Sequence, residues 1–124
     1  MRLPSRAVSK VALNSWVARG FVVDPVFAEQ FMTGLQNWNW TVNTNGYSGV
    51  MPCTFSDEEL RQIQQQVLLL IGDQDRLNPP KALERARQTI PHLEADIIPG
   101  AGHFLNMEQP GSMNARILEF LTEA

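Results

Sequence analysis

Val67-Leu68-Leu69-Leu70-Ile71 is an unbroken apolar run ending at Gly72, and no other feature constrains the chain as tightly. A strand with one wet face alternates polar and apolar residues. A run without alternation suits a strand covered on both faces, as in a parallel sheet. Parallel strands cannot be joined by a tight turn and need a crossover, usually a helix. The residues that follow supply one. Residues 73–78 are turn-like, and Asn78-Pro79 begins a helix with Leu83, Ala86 and Ile90 facing one way and Pro91 as its stop. Ala95-Asp96-Ile97-Ile98 reads as a second, shorter strand closed by Pro99-Gly100. Pro110 opens a last helix whose stripe of Met113, Ile117, Phe120 and Leu121 should be buried. Strand, helix, strand, loop, helix is an α/β order with right-handed crossovers expected.

Upstream, Ser56-Asp57-Glu58-Glu59 is a capping box, with Phe55 and Leu60 placed for a hydrophobic staple. The helix it starts should run to about Gln65. Asp24-Pro25 marks an earlier helix start, with Phe27, Phe31, Leu35 and Trp38 recurring every three or four residues. Residues 43–49 form a turn-rich loop. The chain therefore divides into a helical segment, 1–55, and an α/β segment, 56–124. Two strands are few for this much helix, so the expectation is that part of the sheet lies outside this sequence.

Two loops carry candidate chemistry, each just beyond a predicted strand, where open α/β sheets place their ligands. One is Gly72-Asp73-Gln74-Asp75 and the other is Gly100-Ala101-Gly102-His103. Taken singly, Asp75 could be only a turn residue and His103 only a polar loop residue. Two glycines beside His103 suggest that the backbone there needs freedom. Asp73 competes with Asp75 and reads as a solvated turn residue. His92, after Pro91, reads as a surface residue, and Cys53 as an inert thiol. No Cys, His and carboxylate cluster has ligand spacing, so no metal site is read.

The strings LLLIGDQDRLNPP and DIIPGAGHFLNMEQP resemble the C-terminal half of an α/β-hydrolase, and the likeness covers roughly residues 60–122. The resemblance implies that Asp75 is the triad acid, in a G-x-x-D turn after the penultimate core strand, and that His103 is the triad histidine after the last strand. It makes residues 1–55, loosely, a cap. Similar proteins usually carry Pro where this chain has Gln66. In such a triad, histidine deprotonates the nucleophile and the carboxylate fixes its tautomer. The nucleophile belongs in an upstream G-x-S-x-G turn. This sequence has none: Gly46-Tyr47-Ser48-Gly49 is nearest, with the wrong spacing. The expectation is a hydrolase of a small, apolar ester or similar carbonyl compound, without cofactor, whose Ser or Asp nucleophile these 124 residues lack. Alone, the chain should then be inactive. Phe104 could line the acyl pocket or belong to the core. Trp38 could cap a substrate, although packing is the commoner use of such a stripe. The rival reading is a non-catalytic truncated product, self-associating or docking on a separate N-terminal half.

Composition narrows the partners. A net charge of −3 argues against nucleic acid and anionic membranes, which favour a basic face. No apolar run approaches the roughly 18 residues that span a bilayer, and no signal peptide is read. With one cysteine there is no internal disulfide, which fits the reducing cytoplasm.

Overall fold

The computed structural model describes residues 11, 13–37, 55–78 and 81–123, which divide between two compact units. Trp38, Cys53 and the 43–49 loop lie outside the described residues.

In the first unit, helix α1 spans Pro25–Asn37. Asp24 caps it: its Oδ1 accepts the Phe27 N–H at 2.9 Å. Pro25 takes the first helical position, where a missing N–H costs nothing. The Phe27 and Phe31 rings stack with centroids 5.9 Å apart, as their four-residue spacing allows.

The second unit joins Phe55–Ala124 with the segment Trp16–Phe21. Helix α2 (Asp57–Arg61) starts on the expected capping box, the Ser56 Oγ accepting from the Glu59 N–H and the Glu59 carboxylate accepting from the Ser56 N–H at 2.7 Å. It ends four residues earlier than expected. None of its residues is buried, so little packing extends it, and an i to i−3 bond from Gln62 to Glu59 tightens the last turn. Phe55 stays 67% exposed rather than closing down as a staple would.

Strand β1 (Val67–Gly72) and strand β2 (Leu93–Ile98) pair in parallel, in register from Val67 opposite Leu93 to Gly72 opposite Ile98. Helix α3 (Lys81–Thr89) makes the crossover, with Leu83 fully buried beneath it. β2 begins two residues before the expected Ala95. Only Leu93 and Glu94 lie outside the expected strand, and Glu94 and Asp96 both accept from the Arg116 guanidinium, the latter at 2.5 Å. Each bridge spans about twenty residues and pins the last helix to β2.

Short helix α4 (Leu105–Glu108) and helix α5 (Pro110–Glu123) follow. Ile98, Ala101 and Leu105 form a small core against which Leu70 and Met113 pack. The expected burial of α5 is only partly met. Met113, Ile117 and Phe120 are half-buried, but Leu121 is 64% exposed. Likewise Val67 to Leu70 are half-buried rather than covered on both faces. Both departures have one cause: among the described residues the sheet has two strands, and these cannot bury the apolar faces of β1 and α5 completely.

Candidate active site

The register that sets Gly72 opposite Ile98 ends both strands at one level, so their following loops meet. The contact is between backbones. Asp73 N–H donates to the Ile98 carbonyl at 3.1 Å and Gln74 N–H to the Ala101 carbonyl at 2.9 Å. A Cβ on Gly72 would collide with the carbonyl oxygens of Ala101 and Gly102, so glycine stands there because the loops touch. A Cβ on Gly102 would meet the backbone of Trp16, Val17 and Ala18. Of the two glycines beside His103, only Gly100 uses positive φ, and Gly102 is required for close approach.

Asp75 and His103 come together in this junction. The Asp75 side chain is buried, and its Oδ2 lies 3.1 Å from the His103 Nδ1. The other oxygen, Oδ1, accepts amides from Leu77 at 2.8 Å and Asn78 at 2.9 Å. Burial pushes the carboxyl pKa up, but the Asn78 amide, the His103 hydrogen bond, the Leu77 amide and the His103 charge outweigh it, and the net displacement is downward. Asp75 is thus held as an anion, with one oxygen locked to backbone and one aimed at imidazole.

Asp73 does more than face solvent. Although exposed, its Oδ1 accepts the Gly100 N–H at 2.9 Å and the Ala101 N–H at 3.2 Å, linking the two loops. Its role is that of a clasp between the two loops.

The His103 side chain is one-third exposed. Its backbone N–H donates to the Trp16 carbonyl at 2.6 Å. Trp16 also sets its ring edge-on to the imidazole, centroids 6.2 Å apart at 69°. Phe104 is half-buried, edge-on to His103 at 5.7 Å and tilted against Trp16 at 6.2 Å. His103 also borders a shallow recess of about 510 Å³ lined by Leu68, Leu70, Leu105, Asn106, Met113 and Ile117. Phe104 is not among the recess walls.

Two contributors were missed in the sequence. Trp16 lies far from the motifs and no pattern announces it. Glu108 is buried, and its carboxylate accepts amides from Ala18, Gly102 and Phe104. A signal for it existed: between Asp96 and Arg116 it is the lone carboxylate, in a stretch otherwise apolar or neutral apart from His103. Among the described residues no group of three or more His, Cys, Asp and Glu side chains is placed to hold a metal ion, and no helix is long and apolar enough to cross a membrane.

Comparison with known proteins agrees with this architecture. The family model for the alpha/beta hydrolase fold matches residues 23–110. An uncharacterized carboxylesterase, nap, of Bacillus subtilis (strain 168) is 39% identical over 100 residues, covering 80% of this chain and 33% of that protein. Carboxylesterase YbfK of the same strain is 34% identical over 98 residues, covering 78% and 33%. Among solved structures, naproxen esterase (carboxylesterase NP) from Bacillus subtilis superposes with a TM-score of 0.74 at 33% identity, over 91% of this chain and 40% of that one. The chain spans about a third of the length of the curated relatives it matches.

Proposed function

Because the chain belongs to the alpha/beta hydrolase fold family, we propose that it supplies the acid and the base of an ester-cleaving active site, Asp75 and His103. The observation that carries this reading is the 3.1 Å approach of Asp75 Oδ2 to His103 Nδ1 at the ends of two adjacent parallel strands. The carboxylesterase names of the relatives support an ester as the substrate class.

With Nδ1–H donating to Asp75, the lone pair sits on Nε2, the tautomer a general base needs. Nε2 takes the proton of an attacking hydroxyl as that oxygen bonds to the ester carbonyl. It then returns the proton to the departing alkoxide, which leaves as the alcohol. Water repeats the cycle on the acyl-enzyme, passing a proton through Nε2 and releasing the acid. The anionic Asp75 stabilises the imidazolium in each half. The substrate proposed is a small, apolar ester. Phe104 and Trp38 remain proposed substrate neighbours, Phe104 through its contact with the imidazole.

The attacking hydroxyl comes from a strand-to-helix turn that these 124 residues do not contain, and without it the lone chain is inactive. A fluorophosphonate probe tests this: it should leave the purified chain unlabelled. Labelling would show an activated serine within the chain and refute the claim. In an assembly that includes a nucleophile-bearing portion, His103→Ala should lower turnover by orders of magnitude. Near-normal turnover would sink the assignment.

A second reading rests on the half-buried β1 and on Leu118 and Leu121, each 64% exposed. These surfaces suit association, either with a separate N-terminal half or with another copy. Size-exclusion chromatography with an apolar dye distinguishes the cases, and a monodisperse monomer that binds no dye would refute it. A cytoplasmic location is proposed with both readings, and recovery of the protein in a secreted fraction would contradict it.

A further inference from the structure

We propose that Glu108 is a positioning residue for His103, fixing the peptide units on both sides of the imidazole through one buried carboxylate. This rests on the reading of Asp75 and His103 as a catalytic pair. Glu108 is 8% exposed, and a buried carboxylate is tolerated only when hydrogen bonds replace its water. Its partners are specific. Oε2 accepts the Gly102 N–H at 3.0 Å and the Ala18 N–H at 2.5 Å, and Oε1 accepts the Phe104 N–H at 3.1 Å. Gly102 and Phe104 are the two neighbours of His103, and the His103 N–H is itself taken by the Trp16 carbonyl at 2.6 Å. Three consecutive amides are therefore anchored, two of them by Glu108. With the backbone held, the reach from imidazole to Asp75 depends on the side-chain torsions of His103 alone.

A plainer role would be capping of α4, since Phe104 is its N-cap residue. Capping accounts for the bond to Phe104. It does not account for the bonds to Gly102 and Ala18, which lie outside α4. The Ala18 bond also ties in the segment that places the Trp16 ring edge-on to His103. Glutamine cannot replace this carboxylate, because its NH₂ would face at least one amide N–H, donor against donor. Aspartate is a methylene too short to meet all three amides. Precision of this order matters for a base, since small misplacements cost large factors in rate.

Nuclear magnetic resonance on the full 124-residue chain tests the proposal without needing turnover. In the unsubstituted protein, scalar couplings across the hydrogen bonds should connect the Glu108 carboxyl carbon with the Gly102 and Phe104 amides. Their absence would overturn the proposal before any variant is made. In Glu108→Gln, amide exchange should rise about tenfold or more at whichever amide the side-chain NH₂ faces, Phe104 or Gly102. The His103 Nδ1-bound proton should broaden or shift, while the β1–β2 ladder keeps its protection. Freed amides with an unchanged imidazole proton would make Glu108 a backbone cap only and overturn the positioning role. Asp75→Asn keeps the two readings apart. An imidazole proton indifferent to that substitution refutes the catalytic pair itself, whatever Glu108 does. Glu108→Ala serves as a harsher variant, and should it fail to fold, the couplings and the glutamine variant still decide.

Discussion

Asp75 Oδ2 stands 3.1 Å from His103 Nδ1 across 28 positions of sequence, and the backbone that carries each residue is held by its own hydrogen bonds. The parallel register ends β1 and β2 together, Gly72 lets the loops touch at backbone level, and two amides hold the far oxygen of Asp75. The carboxylate thus has one way to face, and the imidazole is what it faces.

The two aspartates of the turn should separate cleanly under mutation. Asp75 bonds the imidazole, whereas Asp73 bonds the Gly100 and Ala101 amides. In an assembly that carries the nucleophile, Asp75→Asn should lower kcat by roughly 10³–10⁴ through loss of the correct tautomer. Asp73→Asn keeps an acceptor oxygen and should cost about 1 kcal/mol of stability with a much smaller change in kcat. Steady-state kinetics beside urea unfolding reads both quantities. The reverse ranking in kcat would mean that the wrong aspartate has been assigned.

Acid should weaken the fold through Asp75. Its folded pKa lies below the ordinary 3.8 because hydrogen bonds outweigh burial. A depressed carboxylate contributes stability that is fully present above the unfolded pKa and is lost as pH falls through the folded value. The stability gap between the unsubstituted chain and Asp75→Asn should therefore shrink as pH falls below the unfolded value. Urea midpoints measured from neutral pH down into this range provide the check. A gap that grows on acidification would contradict the sign of the shift.

The capping box at Ser56 governs a helix that buries nothing, so its worth is measurable almost in isolation. Ser56→Ala should cost α2 about 1 kcal/mol. Amide exchange at Glu59, whose N–H donates to the Ser56 Oγ at 3.2 Å, should rise accordingly. The Asp57–Arg85 bridge at 2.9 Å links α2 to α3 and should persist. Unchanged exchange at Glu59 would show that this bridge, and not the cap, holds the first turn.

Much of this arrangement is legible locally. The apolar run of β1, the Ser56 box, the Asp24 cap and the Asp75 and His103 loops are short-range signals, each decided by a few adjacent residues. What the sequence conceals depends on distant partners. Glu94 looks wrong for a strand until Arg116 arrives from α5. Glu108 stands out as a lone carboxylate, but the three amides that converge on it come from residues whose approach the sequence does not show. Trp16 joins the second unit through backbone bonds, which side-chain patterns do not encode. The amphipathic stripe of α5 correctly marks Met113 and Ile117 but overstates Leu121, because a stripe records what a helix could bury and not how much sheet is present to cover it.

Gly72→Ala offers the sharpest test of the loop junction. A methyl there would meet two carbonyl oxygens, those of Ala101 and Gly102, and backbone atoms cannot swing aside as a side chain can. The loops must separate, and the distance from Asp75 to His103 must grow with them. Overpacking of this kind typically costs 1–3 kcal/mol, about the same as losing a good hydrogen bond or two. The expected result is a lowered urea midpoint together with a weakened His103 Nδ1 proton signal. Gly34→Ala is the matched control, since a Cβ there meets nothing within 4 Å and lies within α1. It should stabilise slightly through helix propensity. If Gly72→Ala were as benign as Gly34→Ala, the close approach of the two loops would not exist in solution, and the alignment of Asp75 with His103 would need another explanation.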